Sequence, residues 1–165
     1  MQREEEPRIV AHTPLYLLAG ETSCWKCGSD QEVIALAAAD VQDEDGWINA
    51  DHSEEDPEPI LLGSITAMPA DVAAYLRAKY PKFCVRFSRT AGHSYYANTC
   101  SCGAMFGEFY LSAEPGAVFF PTTREEAAHV RVTELPFTGN LGFSASYSLG
   151  GTSMLFEPGK GEHED

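Results

Sequence analysis

Apolar residues fall along this chain in short runs rather than in long amphipathic stretches, a pattern that predicts sheet more than helix. Residues 8–19 carry Ile9, Val10, Leu15, Tyr16, Leu17 and Leu18, interrupted by Pro14, and read as one strand or two short ones. Glu32–Ala38 is a continuous apolar run of strand length, although its alanines leave a helix open. Phe83–Phe87 alternates as a half-buried strand does. Ser94–Asn98 and Ala104–Leu111 are further strand candidates, and Gly116–Phe120 is another short apolar segment. Arg131–Phe137 and Leu141–Leu149 are expected to pair as a hairpin across Thr138-Gly139-Asn140.

Helical patterning is confined to two places. Pro69–Tyr80 is the clear one. Pro69 suits a first turn, Asp71 complements the dipole, Val72, Tyr75, Leu76 and Tyr80 approximate one face, and Pro81 stops the chain. Thr123–His129 predicts a short helix capped by Thr122 or Thr123. The expected fold is α+β, mostly antiparallel sheet with one clear helix. A single domain over 1–165 is expected, with a flexible tail at 1–7, an exposed acidic loop at 40–59 in which Trp47 and Ile48 anchor a short strand, and a frayed end at 159–165.

Composition narrows the class without naming a function. The 165 residues are 44% hydrophobic, enough for a core that does not depend on a metal. No run reaches the ~18 apolar residues of a membrane span. The N-terminus lacks the layout of a signal peptide, so a cytoplasmic protein with reduced thiols and no membrane partner is expected.

The net charge of −14 is unevenly spread. Nine acids and no Lys or Arg lie between Asp40 and Glu58. No acid lies between Val72 and Gly107, where Arg77, Lys79, Lys82, Arg86 and Arg89 form a basic island. An acidic surface favours basic partners and repels nucleic acid at long range.

Two cysteine pairs carry the chemistry: Cys24-Trp-Lys-Cys27-Gly28 and Cys100-Ser-Cys102-Gly103. Four thiolates in two compact half-sites suit tetrahedral zinc, and a glycine in the same place after each pair lets the backbone curl. Cys24, Cys27, Cys100 and Cys102 are therefore the candidate ligands of a structural zinc ion. The Cys-x-Cys pair is one residue shorter than usual, but cysteines at i and i+2 of an extended segment face one side. Packing as small hydrophobes is the plain alternative, and a redox pair is disfavoured because no long helix starts at Cys27. Cys84 reads as a core residue of its strand, and His93 is the histidine nearest to a ligand position.

The two Cys-Gly motifs and their flanking strands resemble the knuckle pair of a zinc ribbon. Tyr96–Tyr110 is similar to knuckle-then-strand segments of uncharacterised bacterial zinc-ribbon proteins. The resemblance implies a fold element and a metal, with no activity attached. Positions 28–99 would then hold the helix and the acidic segment as an insertion between the knuckles.

No HExxH, GxSxG, P-loop, GxGxxG or zinc-deaminase pattern is present. A four-thiolate shell also leaves no open coordination position, so catalytic residues are not assigned. The leading expectation is a non-catalytic zinc-binding protein that works through another protein, using segment 40–58 against a basic partner. An acidic inhibitor or immunity protein is one version of it. A nucleic-acid-binding regulator using residues 77–89 is the alternative, since five cations interleave there with Tyr75, Tyr80, Phe83 and Phe87. An enzyme with a dispersed site around His93 ranks third.

Overall fold

The computed structural model describes residues 8–51, 58–113, 115–148, 152 and 154–156. The expected tail at 1–7, the expected frayed end at 159–165 and residues 52–57 of the acidic segment lie outside the described residues. The chain is mostly antiparallel sheet, with few helical residues and a cluster of four cysteines.

Two long strands form the frame. β1 (Arg8–Ser23) and β2 (Asp30–Asp43) pair along nearly their whole length, from Val10↔Gln42 to Ser23↔Asp30. Both outrun their apolar runs, because polar ends such as Glu21–Ser23 and Asp30–Glu32 pair with each other. β3 (Gly46–Trp47) and β4 (Ile60–Ala67) pair with β2, and β9 (Asn140–Ser148) pairs with β4. β9 also pairs with Arg8–His12 of β1, so the pairings β1–β2–β4–β9–β1 close into a ring.

The expected hairpin between residues 131 and 149 does not form. β8 (Arg131–Glu134) and β9 instead share one edge of β1, β8 along Tyr16–Ala19 and β9 along Arg8–His12. The change of partner falls at Pro14, which has no N–H to give a ladder. The Thr13–Pro14 peptide is cis, and the register shifts between His12 and Leu15. There Thr13 turns its N–H and hydroxyl to the Gly139 carbonyl, at 3.2 and 3.0 Å.

Side chains on the two faces of the long strands enter two separate cores, which explains the unbroken apolar runs. Leu17, Ile34 and Leu62 enter the larger one with Phe143, Val72 and Leu76. Their neighbours Leu18, Val33 and Leu61 enter the second, with Phe106, Leu111, Phe119, Val130 and two of the cysteines. α2 (Ala70–Lys79) covers the first core with Val72 and Leu76; Pro69 is its N-cap rather than a first-turn residue. The other α-helices among the described residues, α1 (Ile48–Asp51) and α3 (Arg124–Ala127), have four residues each, and Thr123 caps α3 through its side chain.

A second sheet holds β5 (Phe83–Ser88), β6 (His93–Thr99) and β7 (Met105–Phe106). The strand expected over Ala104–Leu111 ends at Phe106 and gives way to a π-helical turn at Phe109–Ala113. The reason is Glu108, which turns inward to meet a kinked residue of β4. Its two carboxylate oxygens accept the Ser64 N–H at 2.9 and 2.8 Å, and Ser64 has φ +45°. Burial pushes the Glu108 carboxyl above its ordinary value, although the Ser64 N–H and hydroxyl and nearby His93 pull the other way.

The acidic segment is not one exposed loop. Asp40–Asp43 belongs to β2, Gly46–Trp47 is β3 and residues 48–51 are helical. Asp40 is buried and accepts N–H groups from Val41 and Asn49 at 2.8 and 2.7 Å. Asp43 takes the Tyr147 hydroxyl at 2.5 Å, which lowers its pKa and pushes Tyr147 up to about 12. Glu44 and Asp45 remain exposed at the turn.

Candidate metal centre

Each cysteine pair sits in the turn of a hairpin. The first turn joins β1 to β2 and is closed by Cys24 N–H to the Ser29 carbonyl (2.8 Å) and Gly28 N–H to the Cys24 carbonyl (2.9 Å). The second joins β6 to β7, with Cys100 N–H to the Ala104 carbonyl and Gly103 N–H to the Cys100 carbonyl, both 2.8 Å. The Cys-x-Cys pair therefore converges through a tight turn, not through an extended segment. Gly28 and Gly103 have φ of +82° and +95°, and a Cβ on either would meet nothing within 4 Å. They are needed for left-handed backbone rather than for room.

Folding brings the two turns face to face. The four sulfurs of Cys24, Cys27, Cys100 and Cys102 all lie within 4.8 Å of one another. Two short separations cross between the hairpins: Cys24 to Cys102 is 3.8 Å and Cys27 to Cys100 is 3.6 Å. A tetrahedral ion with metal–sulfur bonds of about 2.3 Å sets its sulfurs about 3.8 Å apart. The sulfurs are thus spaced for one metal ion. Each hairpin supplies one buried cysteine, Cys24 or Cys100, that belongs to the second core, and one exposed cysteine, Cys27 or Cys102.

Proton affinities inside the cluster are pulled apart. The Ser29 hydroxyl and N–H and the Cys100 sulfur lower Cys27 to about 6. Hydrogen bonds from the Cys27 and Lys26 N–H groups dominate a lowering at Cys24. The Ala104 N–H pulls Cys102 down, but desolvation and three neighbouring sulfurs outweigh it and push it up to about 11. Four adjacent sulfurs cannot all ionise without a cation among them. A divalent ion would supply that charge.

Contacts around the turns hold the hairpins together. Trp25 of the first turn donates its indole N–H to the Met105 carbonyl beyond the second, at 2.9 Å, with its ring largely in solvent. Lys82 spans both, reaching Gln31 Oε1 at 3.1 Å and Ser101 Oγ at 2.7 Å. Arg86 donates to the Gly103 carbonyl at 3.0 Å. Deeper in, buried Asn98 of β6 accepts the Ile34 N–H (2.8 Å) and donates to the Ile34 carbonyl (2.9 Å), completing the backbone pairing of β2 across the gap between sheets. Ser29, Gln31, Trp25 and Asn98 carried no metal signal in the sequence. Trp25, inside the first pair, and Ser29, two residues after Cys27, were the ones close enough in the chain to be suspected.

The remaining candidates stay apart from the cluster. Cys84 is half-buried and belongs to neither core; its thiol points toward the Lys82 carbonyl at 3.9 Å. His93 is exposed at the start of β6, its ring 5.7 Å from that of Tyr95. It does not line the cavity of about 480 Å³ formed by residues that include Glu21, Thr22, Tyr110, Glu126 and His129. His12 meets Asn140 Oδ1 at 2.8 Å and packs edge-on against Trp47. In the basic island, Phe83 is buried and stacked on Tyr96, Tyr75 packs edge-on to Phe137, and Lys79 lies 5.3 Å from the Tyr75 ring centre. Phe87 and Arg89 remain exposed. Among the described residues no helix is long and apolar enough to cross a membrane. Compared with protein-family models, with curated proteins and with solved structures, the chain matches none.

Proposed function

We propose that Cys24, Cys27, Cys100 and Cys102 hold a structural zinc ion in a zinc-ribbon-like arrangement, and that the protein acts by binding another protein rather than by catalysis. The cross-hairpin sulfur spacing of 3.6 and 3.8 Å carries the metal part of this reading. Four thiolates favour a soft or borderline ion, and a closed shell leaves no position for water or substrate. Purified protein is expected to contain close to one zinc per chain, lost on Cys27→Ser or Cys102→Ser. Metal-free protein of undiminished stability would overturn it.

The interaction part is supported by the net charge of −14 and by the exposure of Glu44 and Asp45 beside β3. A basic protein in a reducing compartment is the partner such a surface suits, and an inhibitor or immunity protein is one form of it. Crosslinked pull-downs should recover a basic protein that is lost with Glu44→Gln and Asp45→Asn. Unchanged capture would remove this contact. The nucleic-acid alternative gains less support, because Lys82 and Arg86 are engaged by the cysteine turns and Phe83 is buried.

A further inference from the structure

The hydrogen bonds between Lys82 and the cysteine cluster form a chain with a fixed direction. Lys82 Nζ meets Gln31 Oε1 at 3.1 Å, Gln31 Nε2 meets Ser29 Oγ at 3.2 Å, and Ser29 Oγ meets Cys27 Sγ at 3.0 Å. Ser29 Oγ is also 3.7 Å from Cys100 Sγ. An ammonium group has three donors and no acceptor. Gln31 must therefore turn its carbonyl oxygen to Lys82, which leaves its NH₂ facing Ser29. The serine oxygen accepts that N–H, and its single proton is free to go forward to sulfur. At the end of the chain Cys27 is asked to accept. A thiolate bound to a metal does so with its remaining lone pairs.

We infer that Lys82, Gln31 and Ser29 form a polarised relay that delivers positive charge to the Cys27 thiolate and so tunes metal binding at this centre. The inference deepens the metal reading above and rests on it. Four thiolates and a divalent ion leave a net charge of −2 at the centre, and the relay brings an ammonium charge to bear on it through two neutral groups. Hydrogen bonds in such a chain polarise one another in the same sense. The backbone of Lys82 is fixed for the task, because its carbonyl accepts both the N–H and the hydroxyl of Thr99, at 3.0 and 2.8 Å. The three side chains are positioning residues, since only Ser29 touches a ligand sulfur. Outer-shell partners of this kind change metal affinity about 10–100-fold when removed.

The test uses Co²⁺ as the probe on the full chain, with Zn²⁺ affinity read by competition against a chelator. Wild-type protein should take up one Co²⁺ with the absorption of a tetrathiolate site. Ser29→Ala and Gln31→Leu should each weaken affinity about 10–100-fold, and the double variant should be no weaker than the weaker single, because each cuts the same chain. The sulfur-to-cobalt charge-transfer band should move to lower energy in Ser29→Ala, where the sulfur loses its donor. A smaller shift in the same direction is expected for Lys82→Met, which touches no sulfur. Ser29→Thr keeps the hydroxyl and should restore both readouts, and Gln31→Leu with Lys82→Met carries the test if Ser29→Ala misfolds.

Wild-type affinities with an unmoved band in the variants would overturn the relay and leave the metal reading intact. Additive losses without a band shift would also overturn it, reducing Lys82 to a brace between hairpins. Failure of the wild-type chain to bind Co²⁺ or Zn²⁺ would overturn the metal reading and the relay with it.

Discussion

The two cysteine hairpins carry the same motif on very different supports. The first stands at the end of β1 and β2, which pair over most of their length and whose side chains enter both cores. The second closes a ladder of only two residue pairs, Asn98↔Phe106 and Thr99↔Met105. Long-range contacts made by Asn98, Lys82, Arg86, Trp25 and Glu108 hold it in place. The first hairpin is therefore built by local pairing, and the second is docked. In a docked element the polar contacts, and a metal ion held by the cysteines, would supply what a long ladder supplies elsewhere.

Asn98→Ala should have the largest effect on this contrast. It strands the buried N–H and carbonyl of Ile34, at about 1–3 kcal/mol for each group. Urea denaturation should show that loss, and hydrogen exchange should show faster exchange in residues 93–106 than in the β1–β2 hairpin. Equal loosening of both would erase the distinction. Metal removal comes next. Stripped protein is expected to lose amide protection at residues 100–106 first, while the pairs from Leu15↔Ala38 to Ala19↔Ile34 keep theirs.

Backbone substitutions probe the turns themselves. Gly28→Ala and Gly103→Ala each force an alanine into left-handed backbone and should cost about 1–2 kcal/mol. Heating metal-loaded protein should put the larger loss of metal retention at Gly103, whose turn closes a ladder of only two residue pairs.

The smallest effect is a slope with pH. The Glu108 carboxyl has a raised pKa when folded, so over the range between its folded and unfolded values the native state holds more protons. Stability should therefore rise as pH falls from neutral through the folded value, and the gain ends near the unfolded value of 4.5. Glu108→Gln should flatten this slope. A slope unchanged by the substitution would mean that Glu108 does not govern the link between β4 and the second hairpin.

Much of this contrast was hidden in the sequence for physical reasons. The apolar runs around Leu17 and Ile34 marked the two long strands, because a sheet buried on both faces has no polar alternation to blur them. The ends of those strands were missed because Thr22, Ser23, Asp30 and Gln31 gain their pairing from each other, not from burial. Residues 131–149 look like a hairpin at short range, but both strands find a better edge on β1, and spacing does not reveal a distant partner. Glu108 reads as an ordinary strand residue until Ser64 comes within reach. At the candidate site, the four cysteines and two glycines were visible because their chemistry is rare and their spacing repeats. Gln31 and Lys82 were not, since a polar residue becomes part of a relay only when folding supplies its neighbours.

One consequence follows from the alternation of buried and exposed sulfurs. Cys24 and Cys100 are anchored among the apolar side chains of the second core, while Cys27 and Cys102 face water. Chelators and thiol reagents approach from the water side, so the outer sulfurs would let go first and the inner pair last. Dismantling of a metal centre here would then have an order, and it would be reversible at the halfway point. An ion held by the inner sulfurs alone would still sit between two hairpins in register, ready for the outer sulfurs to return.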